Sequence, residues 1–148
     1  MGVKERLERL VGVWEGTYTF LSPKGELLER FPSRQELRLV DGVWHERIVY
    51  LREGREPEVL DFKARFEQDR LVFDDPDIRG DTWLIGDDVL LFPYYWKSRP
   101  DVKIVETVTL PAPGRKARVW QKFDHGELVG VTLIEEQFRP GLKPAEWE

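Results

Sequence analysis

From Gly12 onward the sequence repeats with a period of two, and little else in it repeats at all. Phe62, Ala64 and Phe66 alternate with Asp61, Lys63 and Arg65, which describes a strand with one wet face and one dry one. Ile104, Glu106, Val108 and Leu110 alternate in the same way with Val105, Thr107 and Thr109, in a stretch rich in β-branched residues. Turn-forming groups punctuate the pattern at Ser22-Pro23-Lys24-Gly25, Asp41-Gly42, Glu53-Gly54, Gln68-Asp69, Gly86-Asp87-Asp88, Pro113-Gly114 and His125-Gly126. These breaks predict strands over 12–20, 27–30, 34–40, 43–52, 58–67, 70–74, 81–85, 89–96, 102–110, 116–124 and 127–139, nine or ten once short neighbours merge. No helical crossover separates them, so the sheet is antiparallel. A sheet this wide curls, and closure removes its exposed edges. The expected fold is therefore all-β, a single up-and-down antiparallel barrel over about 12–139, preceded by a short helix and followed by a loose tail at 140–148.

Composition narrows the function. The chain has 148 residues and a net charge of −5, which disfavours a nucleic-acid surface because such a surface needs a basic stripe. It contains no cysteine, which removes disulfides, thiolate nucleophiles and cysteine-based zinc sites. Asparagine is also absent, and arginine is roughly twice as common as lysine, a bias expected of a thermophile and also of a GC-rich genome. No apolar run approaches a membrane span, and Met1 to Leu10 is too charged for a signal peptide, so a soluble, cytoplasmic protein is expected.

Val3, Leu7 and Leu10 fall on one face of a helix over about 3–10. Directly after it comes Gly12-Val13-Trp14-Glu15-Gly16-Thr17-Tyr18-Thr19-Phe20. A short helix followed by Gly-x-Trp resembles the opening of the lipocalins and fatty-acid-binding proteins, the calycin superfamily. That resemblance implies that Trp14 closes one end of the barrel and that a basic side chain late in the last strand, here Arg139, stacks across its indole as a cation–π pair. The longer string through Ser22-Pro23-x-Gly25-Glu26-Leu27-Leu28-Glu29 to Pro32-Ser33 resembles an uncharacterised calycin-type domain family of photosynthetic bacteria and plants. It covers the first quarter of the chain and implies fold rather than activity.

Catalytic groups are scarce. The serines are Ser22, Ser33 and Ser98, none in a Gly-x-Ser-x-Gly elbow, and the histidines are His45 and His125. No catalytic residue and no metal ligand set is expected. Asp74-Asp75-Pro76-Asp77-Ile78-Arg79-Gly80-Asp81 does not match a calcium loop and reads as a solvated turn. Haem barrels resembling this one also open on Gly-x-Trp, but they need a histidine facing the cavity, and neither histidine here lies in a matching motif. His125 sits in a turn; His45 and Arg47 share one strand face, with Trp44, Glu46, Ile48 and Tyr50 on the other.

The aromatic residues concentrate in three successive strands, with Phe92, Tyr94 and Trp96 on one face. Such rings either fill a barrel or line a cavity that takes an elongated apolar molecule. The favoured expectation is a non-enzymatic barrel binding a small hydrophobic or amphipathic ligand through Tyr18, Arg47, Tyr50, Trp83, Tyr94, Trp96 and Trp120, with Arg47 meeting a ligand carboxylate. A haem- or chromophore-handling enzyme on the same barrel is one alternative. A filled barrel that works through a protein partner is the other. Fold alone does not choose among them.

Overall fold

The structure, a computed structural model, describes residues 2–143. Helix α1 (Val3–Glu8) is followed by eleven strand segments: β1 (Gly12–Leu21), β2 (Leu27–Val40), β3 (Val43–Tyr50), β4 (Glu58–Glu67), β5 (Arg70–Asp74), β6 (Ile78–Asp81), β7 (Trp83–Ile85), β8 (Val89–Trp96), β9 (Arg99–Ala112), β10 (Arg115–Asp124) and β11 (Glu127–Phe138). Except for β6 and β7, which do not pair with each other, each pairs antiparallel with its sequence neighbours; β1 also pairs with β11 and β6 with β8, which closes the sheet. β6 and β7 keep one register against β8, from Ile78↔Trp96 to Ile85↔Val89. They are one strand interrupted at Thr82, whose N–H turns to the Leu71 carbonyl at 2.9 Å. The barrel is thus an up-and-down meander of ten strands, as expected. Among the described residues no helix is long and apolar enough to cross a membrane.

Beyond shifts of one to three residues at strand ends, the strands differ from expectation in two places. The expected strands at 27–30 and 34–40 are one continuous β2, because Pro32 and Ser33 do not break it. Pro32 needs no donor there: it faces Thr17, and its carbonyl accepts the Leu51 N–H at 3.0 Å. The second difference is in the acidic stretch. Only its first part turns, where the Asp75 carboxylate accepts the N–H groups of Asp77 and Ile78, both at 2.8 Å; Ile78–Asp81 is the strand that closes the barrel. The tight hairpins fall where their residues put them. Asp41, Gln68, Asp69 and His125 take positive φ, with Gly42 and Gly126 beside two of them.

Strand polarity sets out three interior layers. At the closed end Trp14, Leu37, Trp44, Leu71 and Leu90 pack beneath Val3, Leu7 and Leu10. The Asp69 carboxylate, from the β4–β5 turn, accepts the Val3 and Lys4 N–H groups at 3.3 Å and pins α1 over this end. The open end carries Tyr18, Phe31, Tyr50, Phe62 and Trp96. At Gly16, β11 lies so close to β1 that a Cβ would collide with the Glu135 carbonyl oxygen.

The clamp across Trp14 is built differently from expectation. Trp14 is buried and its indole N–H donates to the Leu10 carbonyl at 2.8 Å. The cation over its ring is Lys116, whose Nζ lies 4.4 Å from the centroid. Arg139 instead turns outward, with Nε 3.4 Å from Oε1 of Glu15. The cause is strand phase: Phe138 is the last inward residue of β11 and packs on Trp14 at 5.2 Å, so its successor points to solvent.

Candidate functional site

Between the two apolar layers lies a charged one. Glu106 on β9, Lys116 and Arg118 on β10 and Glu136 on β11 are all buried, and Glu46 on β3 faces the same interior. Each sits in the inward phase of its strand: Ile104-Glu106-Val108, Lys116-Arg118-Trp120 and Ile134-Glu136-Phe138 each share a face.

Arg118 organises the layer. Its Nε and Nη2 donate to the two oxygens of Glu136 at 2.9 and 3.1 Å, a bidentate pair, and Nη2 also donates to the Tyr18 hydroxyl at 2.7 Å. Nη1 lies 3.8 Å from Glu106, an electrostatic contact rather than a hydrogen bond. Lys116 donates to Gln35 Oε1 and stands 3.5 Å from Glu136. Burial alone would raise the Glu136 carboxyl, but Arg118 and Lys116 outweigh it and hold Glu136 below its ordinary range.

Three carboxylates therefore share two cations, and the shortage falls on Glu46 and Glu106. Burial pushes Glu106 up to about 7, Arg118 opposing and Glu46 adding to the rise. Burial also raises Glu46, against the pull of Arg118 and Lys116. Burial brings Lys116 down to about 8, with Glu136 opposing. Two indoles stand beside the two carboxyls, Trp44 by Glu46 and Trp120 by Glu106. Both indole nitrogens are buried; each lowers its neighbouring carboxyl against the rise from burial, though neither meets strict hydrogen-bond geometry.

Two cavities flank this layer, of about 40 Å³ on the α1 side and about 20 Å³ on the open side. Both are lined by Glu46, Phe92, Glu106 and Arg118. Their volumes suit a few waters, whereas drug-sized ligands occupy roughly 300–1,000 Å³. In this conformation the barrel is largely filled, and Tyr18, Phe31, Tyr50 and Trp120 form a ring cluster on the open side with centroids 4.9 to 5.6 Å apart.

Of the residues expected at a ligand site, Tyr18, Tyr50, Tyr94, Trp96 and Trp120 face the interior and come together around the open side. Arg47 and Trp83 do not. Arg47 is on the outer face of β3, in a bidentate pair with Asp61 at 2.7 and 3.0 Å, because its strand buries Trp44, Ile48 and Tyr50 instead. Trp83 is 46% exposed on the outside of β7, with the Arg70 guanidinium 4.6 Å above its ring. His45 also lies on the outer face, opposite Arg38 and Lys63 of the adjacent strands, and His125 is in the β10–β11 turn against Asp124. Neither histidine can reach a group held inside the barrel, so these residues do not fit a histidine-ligated haem. Among the described residues no cluster of three metal-ligating side chains occurs.

No family model matches the chain, and no curated protein matches it. Solved structures do. A protein of unknown function from the DUF3598 family of Nostoc punctiforme PCC 73102 superposes with a TM-score of 0.75 at 17% identity, over 90% of this chain and 49% of that one. The chain thus spans about half the length of the Nostoc protein. The S-type phycobiliprotein lyase CPES from Guillardia theta superposes with a TM-score of 0.72 at 15% identity, over 94% of this chain and 93% of the other. At such identities the likeness shows the fold alone. The class defined here is a closed antiparallel barrel with a charged layer inside it, and the calycin resemblance of Gly12-Val13-Trp14 is consistent with it.

Proposed function

We propose that the barrel binds a small amphipathic molecule, its polar part in the Glu46–Glu106–Arg118 layer and its apolar part among the rings of the open side. The observation that supports this is the buried charge itself. Replacing a buried ion-pair network by well-packed apolar residues is often neutral or stabilising, so such a network is poorly explained as a device for stability. Polar groups converging on cavities in an otherwise aromatic interior are what a ligand site requires. Entry would require Trp96 and Trp120, both only partly buried, to change rotamer.

A second reading, chromophore handling, draws support from the phycobiliprotein lyase, which covers nearly the whole chain in both directions. One experiment separates the two. The protein is titrated with small aromatic amphiphiles and, separately, with a linear tetrapyrrole, while tryptophan fluorescence and visible absorbance are recorded. Saturable quenching by the amphiphiles that is lost in Trp120→Leu supports the first reading. A shifted tetrapyrrole band at stoichiometric protein supports the second. No saturable signal from either would overturn both.

A further inference from the structure

Resting on the barrel-binding reading above, we infer that the ligand presents a cationic amine to Glu46 and Glu106 rather than a carboxylate to an arginine. The charge balance of the layer points this way. Arg118 gives its bidentate face to Glu136 and a further bond to Tyr18, and Lys116 is spent on Gln35 and Glu136. The one Arg118 nitrogen without a hydrogen bond among the described residues, Nη1, faces Glu106 at 3.8 Å, so an anion reaching it would lie against a carboxyl group. An anion would also enter a layer that already holds three carboxyl groups against two cations. The two acids, Glu46 and Glu106, have no cationic partner at hydrogen-bond distance among the described residues, and both line both cavities. A buried carboxylate is stabilised most by a counter-charge that is itself hydrogen-bonded to it.

The groups around Glu106 fix how such binding depends on pH. Arg118 and Lys116 come from β10, Glu136 from β11, Glu46 from β3, Tyr18 from β1 and Tyr94 from β8. The tyrosines Tyr18 and Tyr94 are pushed up by burial and stay neutral. Glu106, brought to about 7, therefore carries a proton in much of the free protein at neutral pH. An ammonium entering beside it displaces that proton to solvent. Affinity scales with the fraction of carboxylate already ionised, so it rises about tenfold between pH 6 and pH 8.

Three probes of one shape test this: phenethylamine, 2-phenylethanol and 3-phenylpropanoate, titrated by isothermal calorimetry at pH 6 and pH 8. The expected result is that phenethylamine binds at least tenfold tighter than 3-phenylpropanoate at pH 8, gains about tenfold from pH 6 to pH 8, and releases a proton measurable in buffers of different ionisation enthalpy. Glu106→Gln should abolish the pH gain; Glu46→Gln is the second variant should that one fail to fold by circular dichroism, and it should weaken phenethylamine without affecting 2-phenylethanol. Equal or tighter binding of 2-phenylethanol or 3-phenylpropanoate overturns the cation inference while leaving the binding reading intact. Failure of all three probes to bind overturns both.

Discussion

Arg118→Met is the substitution that asks most of this structure. Methionine matches the arginine side chain only as far as Nε, so the change removes the charge and its hydrogen bonds and also vacates the space of the guanidinium head. It removes two bonds to Glu136 and one to Tyr18, all at 3.1 Å or less and all buried. Glu136 is then left with Lys116 at 3.5 Å and no bidentate partner. Removing one partner of a buried pair costs about 3–5 kcal/mol, which in a domain of this size lowers Tm by on the order of 10 °C. The double variant Arg118→Met/Glu136→Met removes both charges and should lose clearly less than the two single variants added together, by about 1–3 kcal/mol. The pH dependence has a definite sign. In the parent, Glu136 sits below its ordinary range, so its stabilisation is present at neutral pH and lost as pH falls through that lowered value. In the variant, burial dominates and Glu136 takes up a proton more readily, so the gap between parent and variant narrows from pH 7 towards pH 4. Urea denaturation at several pH values reads all of this. A single variant within 1 kcal/mol of the parent, or a strictly additive double variant, would refute the coupling of Arg118 to Glu136.

Three further outcomes are expected. Glu106 is protonated more readily in the folded chain, near 7 against an ordinary 4.5, so it costs stability as pH rises between those values; the parent should lose about 2 kcal/mol relative to Glu106→Gln between pH 5.5 and pH 8 in urea midpoints, and parallel profiles would contradict the assignment. Gly16→Ala should cost about 2 kcal/mol or more by forcing β1 away from Glu135, and a thermal melt unchanged from the parent would show that the strands can separate there without penalty. Trp14→Phe should cost about 2 kcal/mol through the lost bond to Leu10 and the lost packing, whereas Arg139→Ala, which breaks only a half-exposed pair with Glu15, should cost under about 1 kcal/mol; the reverse order would restore Arg139 as the clamp.

The barrel was legible in the sequence because alternation and turn chemistry are local. Asp41-Gly42 and His125-Gly126 dictate hairpins whatever surrounds them. The face shared by Phe92, Tyr94 and Trp96 follows in the same way from period two alone. The charged layer was not read, because an acid or base in a strand is by default taken to face water. A signal was present all the same. Glu106 stands between Ile104 and Val108 on one face, and Glu136 between Ile134 and Phe138. The cue is a charge whose neighbours two residues away on either side are apolar. Arg47 misled for the opposite reason, since Asp61 on β4, its partner, is adjacent only through the strand register. Trp83 is outside because β7 continues the alternation through Thr82 and Leu84, which take the inward positions of that strand.

The central claim is that the charged layer exists to hold a ligand. Native mass spectrometry of the protein purified gently from its own cells, beside Glu106→Gln expressed and purified in the same way, tests it most directly. A reproducible small-molecule adduct on the parent that is lost or greatly reduced in Glu106→Gln is the predicted result. A bare polypeptide mass for both proteins, or an adduct retained equally by both, would contradict it.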